Sequence, residues 1–335
     1  MGGSTFDLLE RGAYLARRLG RETAAAEFLF FRMTGAYVST EKDRGMWARR
    51  LHEQGQASAD PIIQAYGRQA WGLYQWDIGN IGEAYRCFSR RELANADASA
   101  SPLDTSSQSH TEAGPLKVPD EWPGWLAVIT ALHGDVETAR DTLEAAYQAE
   151  GAPHAVSVWA YYHTMADSMA GDPSRVIRTA EQWIAAGADR ADVGHENYVR
   201  LDWYWARALT GDDPAGIAAE AEHLLAATLR DPPRWGIAYH YGLIAEMWLA
   251  AEMPDEAAAA LDRADRVLQA YGQRYAEGLV MLLRARLLHA RGEPINAVRA
   301  AAEKARNLSD ERGAHLFSRR AERFLVDLGP HPSER

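Results

Sequence analysis

The stretch Gly171-Asp172-Pro173-Ser174-Arg175-Val176 contains the residues that end one helix and begin the next. Glycine readily adopts the left-handed backbone that closes a helix. Aspartate caps the amino end of the following helix, and proline presets its first turn. The stretch therefore predicts two helices joined by a tight turn.

Related stretches recur along the chain. They begin at Gly79, Gly134, Gly171, Gly211, Glu252 and Gly292, in steps of 55, 37, 40, 41 and 40 residues. Four near-equal steps indicate an internal repeat, in which each unit cannot bury its apolar face alone and stacks on its neighbours. We expect each unit to contact only the units beside it, so that terminal units open first.

The segments between these turns have apolar residues at three- and four-residue spacing, and none shows sustained period-two alternation. The chain is therefore predicted to be all-α. The first helix of each unit is predicted over Ile62–Ile78, Val156–Ala170, Asn197–Thr210, Ile237–Ala251 and Glu277–Arg291, and second helices over Glu137–Ala149 and Asp255–Tyr271. A last amphipathic helix lies between Leu316 and Leu328, with Arg319, Arg320 and Arg323 on its polar side, and is expected to cap the array.

The repeat resembles the tetratricopeptide repeat, in which small residues allow the two helices of a pair to cross closely. Small residues stand in the middle of the first helix at Gly72, Ala127, Thr164, Ala245 and Ala285, and small or β-branched ones early in the second helix at Ala84, Ala139, Val176, Gly216, Ala257 and Ala297. Large apolar residues follow at Phe88, Leu143 and Leu261, whereas Tyr204 departs from the pattern. The resemblance implies a right-handed superhelical solenoid of about seven antiparallel helix pairs.

The longer period and the abundance of Ala, Arg and Trp make the chain similar to the C-terminal repeat region of large bacterial ATP-binding transcriptional regulators of the LuxR and antibiotic-regulator types. Five parts are predicted. They are an N-terminal segment and capping helix (1–20), first repeats (21–93), a loop insertion (94–119), further repeats and a capping helix (120–328), and a disordered tail (329–335). The insertion is interpreted either as a disordered surface loop or as a lid over the inner surface. Met1-Gly2-Gly3-Ser4 resembles an engineered start, which would make the chain a fragment.

Composition excludes several classes of protein. The formal net charge of −11 disfavours direct contact with nucleic acid, whose affinity depends on neutralising phosphates. No apolar run approaches the ~20 residues that span a bilayer, so we expect a cytoplasmic protein. The single cysteine, Cys87, excludes an internal disulfide framework. No phosphate-binding loop, nucleophile elbow or metalloprotease motif is present, so no catalytic residue, cofactor or metal is predicted.

The resemblance also implies which residues line the concave face, since the first helix of each pair faces inward. The projected residues are rich in tyrosine and tryptophan, whose rings suit surfaces that are half apolar and half wet. They predict a groove for a peptide or a small amphiphilic molecule, with rings partly exposed in the free protein. The predicted ligand-binding residues are Tyr66, Gln69, Trp76, Tyr161, Tyr198, Trp205, Tyr239, Glu246 and Arg286. Alternatively, longer helices rotate the register and bury about half of the projected residues between repeats.

Three functions remain open from the sequence. The first is a regulator domain that senses a small-molecule effector, a peptide or another domain of the same protein, with self-association as a further option. The second is a stand-alone scaffold for a peptide tail, although the projected face offers Arg286 and no lysine for a carboxylate clamp. The third is an all-α toroid enzyme, whose acidic or histidine motifs are missing.

Overall fold

The computed structural model describes residues 3–89, 122–150, 155–186, 195–211, 213–229 and 236–329. Within these ranges the protein forms sixteen α-helices and no strand, so the all-α prediction is confirmed. The predicted insertion (94–119) and residues 330–335 of the predicted tail lie outside the described residues.

The helices follow one another with short connections wherever the connection is described. They are α1 (Gly3–Arg18), α2 (Glu22–Val38), α3 (Arg44–Ala57), α4 (Pro61–Asp77), α5 (Ile81–Ser89), α6 (Trp122–His133), α7 (Val136–Glu150), α8 (Ala155–Ala170), α9 (Pro173–Ala185), α10 (Glu196–Thr210), α11 (Pro214–Thr228), α12 (Ile237–Ala250), α13 (Pro254–Tyr271), α14 (Glu277–Ala290), α15 (Ile295–Glu311) and α16 (His315–Asp327). For each helix whose range is predicted from the sequence, the observed first and last residues lie within one residue of the predicted ones.

The turns have the chemistry that the repeat predicts. All five turn glycines have a positive φ. The carboxylate of Asp172 accepts the backbone N–H of Arg175 at 3.2 Å, and that of Asp213 accepts the N–H of Gly216 at 3.0 Å. These caps satisfy N–H groups that the first turn of a helix leaves without a partner. Local sequence therefore fixes where α9 and α11 begin.

The helices pack in two rows. Each odd-numbered helix from α3 to α15 contacts the helices before and after it. The even-numbered helices contact one another in succession from α6 to α16, and α2 likewise contacts α4. One cluster of buried apolar side chains extends from Ala13 to Phe317, so the rows share a continuous core.

The last part of the chain also packs on the first part. Helix α16 contacts α6 and α8 as well as α14 and α15. Backbone groups join the same regions, because the N–H of Arg274 donates to the carbonyl of Asp77 at 2.5 Å and the N–H of Gly82 donates to the carbonyl of Arg312 at 3.0 Å. We call the contacts of residues 271–277 and 312–320 with helices α3 to α8 the closing contacts. The expectation that each unit contacts only its neighbours is therefore wrong.

The closing contacts also correct the expectation for α16. Arg320 was expected on the polar side of a capping helix, but its side chain is only 8% exposed. It donates to the carbonyl of Met169 in α8 at 3.2 Å, while Arg319 donates to the carbonyl of Gly134 at 2.5 Å. Helix α16 therefore packs across the array instead of only closing its end.

None of the helices in the described ranges combines the length and the apolar character that a membrane crossing requires.

The turn after α12 provides a test of the backbone chemistry. Glu252 has a φ of 56° where the other repeats place glycine, and its side chain is exposed. A left-handed backbone costs a residue with a Cβ about 1–2 kcal/mol, and part of this is offset by the greater freedom of glycine in the unfolded chain. We expect Glu252→Gly to raise the free energy of unfolding by about 0.5–1 kcal/mol, measured by urea denaturation.

Gly292 is the matched control at the corresponding turn. Its φ is 70°, and no atom lies within 4 Å of a Cβ built there, so Gly292→Ala changes only the backbone preference. This variant should lose about 1 kcal/mol. A loss of stability in Glu252→Gly would contradict the interpretation of these turns.

Candidate functional site

The residues predicted to line the groove lie inside the protein. Eight of the nine, on α4, α8, α10 and α12, are at most 3% exposed, and only Arg286 on α14 is partly exposed, with 38% of its side-chain surface accessible. The expectation of partly exposed rings is therefore wrong. The cause is the close packing of the even-numbered helices on one another and on the closing contacts, which covers the face that the repeat pattern turns inward. Whether these residues bind a ligand stays a prediction.

Most of the predicted rings are nevertheless close together. Tyr161 and Tyr198 have ring centroids 5.9 Å apart, across α8 and α10. Tyr275 joins the others, because its ring stacks on Trp76 at 4.5 Å and lies 6.2 Å from Tyr239. Tyr275 precedes α14 and is not on a helix, so a projection of helix faces could not find it. Tyr66 lies apart from this group and packs on Phe30 at 5.2 Å.

A buried carboxylate lies at the charged centre of this interior. Glu246 on α12 accepts a hydrogen bond from Trp205 Nε1 at 2.9 Å and from Arg320 Nη2 at 2.8 Å, and Arg286 Nη1 binds the same Oε1 as Arg320. Burial alone would raise the pKa of Glu246, but the charges of Arg320 and Arg286 outweigh it and hold the pKa at about 2. We call Glu246, Trp205, Arg286 and Arg320 the Glu246 network.

A second polar cluster lies on α8, α10 and α12. Ser168 Oγ is 3.2 Å from Asp202 Oδ1 and 2.6 Å from the hydroxyl of Tyr239. Burial raises the pKa of Asp202 to about 7, although hydrogen bonds with Thr164 and Ser168 oppose the rise. With neutral partners and no access to water, this carboxyl group retains its proton more readily than an exposed aspartate.

A third cluster stands at the closing contacts. Arg44 Nε lies 2.5 Å from Asp77 Oδ2, and both side chains are at least nine-tenths buried. The same guanidinium donates to the carbonyl of Tyr271 at the end of α13. One arginine therefore links α3, α4 and α13 by binding one oxygen of a buried carboxylate and a helix-end carbonyl together.

Ser168 does not have the partners of a nucleophilic serine. Ser168 has an aspartate and a tyrosine as partners, with no histidine to take its proton, and it is fully buried. His240, the nearest buried histidine, bonds through Nδ1 to the carbonyl of Gly236, and burial lowers its pKa to about 4. In the described part of the chain no group of three or more His, Cys, Asp or Glu side chains could hold a metal ion. The geometry fits a structural or binding interior.

No protein-family model, no curated protein and no solved structure matches this chain. The likeness to the tetratricopeptide repeat therefore depends on the turn residues, the small and large residues at fixed positions of each helix pair, and the helix spacing. Conclusions about function have to come from the side chains.

Trp205 tests whether the predicted groove residues are structural. It is fully buried, and its indole N–H is bonded to Glu246, so Trp205→Ala leaves a cavity and an acceptor without its donor. We expect a loss of about 3–5 kcal/mol in the free energy of unfolding, measured by urea denaturation. Trp203→Ala, at a half-buried position on the same helix, should cost clearly less. Equal losses would contradict this assignment.

Asp202 gives a pH-dependent prediction. Its pKa of about 7 in the folded protein exceeds that of an unfolded aspartate, so its proton stabilises the fold at low pH. That contribution is complete below about pH 4 and is lost as the pH rises through 7. Relative to wild type, Asp202→Asn should therefore gain stability over this range, by at most about 1.4 kcal/mol per pH unit.

Thermal unfolding of both proteins across this pH range measures the difference. Asp141→Asn, at an exposed position on α7, is the control for replacing one aspartate by asparagine. A difference between Asp202→Asn and wild type that stays constant with pH would show that Asp202 ionises as readily in the folded protein as in the unfolded chain.

Proposed function

We propose that the chain is a tetratricopeptide-like solenoid of about seven antiparallel helix pairs that senses an effector for a bacterial transcriptional regulator in the cytoplasm. The recurrent glycine–aspartate–proline turn and the two helix rows support the architecture. The expected effector is a small molecule, a peptide or another domain of the regulator, and a second copy of the chain is a further partner. No catalytic step is proposed, and the acidic charge argues against contact with nucleic acid.

The contact between Arg320 and Glu246 is the observation that carries this proposal. In an open array the inward face is free to receive a partner, and Glu246 is one of the residues predicted there. Here Arg320, from the last helix, binds it at 2.8 Å. Helix α16 thus occupies the place on the inward face where a partner would bind in an open array.

The energetics of this contact favour a switching role. Burying Glu246 and Arg320 costs desolvation, and well-packed apolar residues often stabilise a core equally well, so selection of one conformation explains this buried pair better than added stability does. Arg286 remains partly exposed at the edge of the Glu246 network, where an effector would reach it first. An effector that replaces Arg320 would release α16 from α6 and α8.

A stand-alone scaffold is the second candidate, and one surface favours it. Five large apolar side chains at the amino end of the array are at least 36% exposed: Leu8, Leu15, Leu19, Phe28 and Phe31. Leu8, Leu15 and Leu19 are spaced seven and four residues apart and so share one face of α1, and exposed apolar groups that share a face commonly mark protein–protein contacts. A scaffold would use this face and would not require α16 to move.

Arg320→Met tests the sensing proposal, with Arg323→Met as the matched control at an exposed position on the same helix. Met preserves much of the apolar length of the arginine side chain but cannot pair with Glu246. Hydrogen exchange of α16, α6 and α8 should become at least about tenfold faster in Arg320→Met, while α10 and α11 keep their protection. Unchanged exchange across the closing contacts would show that α16 is not held by this contact.

Ligand binding provides the second readout. A thermal-shift screen of metabolites and peptides should yield compounds that raise the melting temperature, since a ligand that binds only the folded state stabilises it. The same compounds should bind Arg320→Met about tenfold more tightly than wild type, because the competing arginine is gone. Equal affinity for the two proteins, or no hit for either, would contradict the proposal.

A further inference from the structure

A pocket of about 250 Å³ opens in the odd-numbered row of helices, between α7 and α9, with α8 as its floor. This volume equals that of roughly eight water molecules at ~30 Å³ each, enough for a small organic molecule. None of the Glu246 network lines it. The inference drawn from this pocket is therefore independent of the proposed function.

Aromatic side chains line the apolar part of the pocket. Trp159 on α8 and Trp183 on α9 are packed in the core and contribute the inner wall, and Tyr147 on α7 stands at the rim with 43% of its surface exposed. The accessible ring of Tyr147 can attract another flat ring by stacking and by excluding water, while the two buried tryptophans close the inner end of the pocket.

The polar part of the pocket includes Arg178, whose charge is not neutralised by any group in the part of the chain that the structure describes. Arg178 on α9 is exposed and forms no hydrogen bond or ion pair within the described residues. Arg175, one turn earlier, has only Asp172 at 3.7 Å. The acid in the floor, Asp167, is already bound by Arg140 at 2.6 Å, so it does not compensate for Arg178.

Hydrogen-bonding groups face the same space from the other two helices. His163 on α8 lines the floor, and burial lowers its pKa to about 4, so at neutral pH its ring is uncharged and offers one donor and one acceptor. Glu144 on α7 lines the opposite wall and already accepts a hydrogen bond from Gln148 at 2.7 Å. An N–H on the ligand ring can therefore find an acceptor at the wall across from the arginines.

We propose that this pocket binds a small planar aromatic carboxylate, with its ring against Tyr147 and its carboxylate on Arg178. The guanidinium fork matches a carboxylate in two parallel hydrogen bonds, which makes arginine the usual residue for this recognition. Four of the twelve lining residues carry a ring and most of the others are polar, so the pocket combines an apolar wall with groups that can fix the orientation of a ligand.

Indole-3-acetate is the probe, because it combines a planar ring with an N–H and a carboxylate. Titration calorimetry on the full chain should give one site per chain with a Kd below about 1 mM, as expected for a ligand of this size. Indole-3-acetamide, which has the same shape without the charge, should bind at least about tenfold more weakly. Tryptamine, which carries a cation in place of the carboxylate, should bind more weakly still.

Two variants locate the site. Arg178→Gln should weaken indole-3-acetate at least about tenfold and leave the amide unaffected, whereas Arg266→Gln, at an exposed arginine on α13, should change neither. Thr179→Phe fills the pocket from the half-buried face of α9 and should abolish binding without lowering the melting temperature.

Three results would overturn the proposal. They are equal affinity for the acid and the amide, binding that survives both Arg178→Gln and Thr179→Phe, and tryptamine binding more tightly than the acid. Absence of binding at millimolar probe in the wild-type chain would overturn it as well. None of these results bears on the Arg320→Met experiment, so the two proposals fail separately.

Discussion

A carboxylate such as that of Glu246 is stable inside a protein only if cations reach it there. Two do, Arg286 from α14 and Arg320 from α16, and both bind the same oxygen. Removing one partner from a buried charge pair typically costs about 3–5 kcal/mol, so α16 has to be held close to α12. Arg320 also bonds to α8, which fixes the last helix against the middle of the chain. The closed arrangement of the helix rows follows from this requirement.

Much of the closing contact is made through backbone atoms. The carbonyls of Asp77, Tyr271 and Arg312 each accept a hydrogen bond from a residue far away in the sequence. Backbone groups must find partners wherever they are buried, whatever side chain they carry. The contact therefore depends on where the helices end, and the repeated turns determine those positions. The regular spacing of the turns along the sequence thus sets the ends of the helices, and through them it also sets which backbone groups meet when the array closes.

Local features of the protein could be predicted from sequence because their causes are local. The cap of α9 needs only Asp172 and its own neighbours, and the range of each predicted helix agrees to within a residue. The inward position of Trp205 and Tyr239 also follows from helix periodicity. Their complete burial does not follow from helix periodicity, because it depends on how many helix pairs pack together across the chain. Arg320 lies 74 residues from Glu246, and on its own helix its spacing places it on the polar side.

The distance in sequence across the closing contacts affects how the protein is made. Arg44 binds the carbonyl of Tyr271, 227 residues later. At a synthesis rate of ~5–20 residues per second, the amino-terminal helices wait roughly 10–45 seconds for that partner to be made. Until then Arg44 and Asp77 remain hydrated, and Trp76 lacks the ring of Tyr275 that stacks on it. The nascent chain therefore leaves the ring of Trp76 without the cover that Tyr275 gives it in the finished protein.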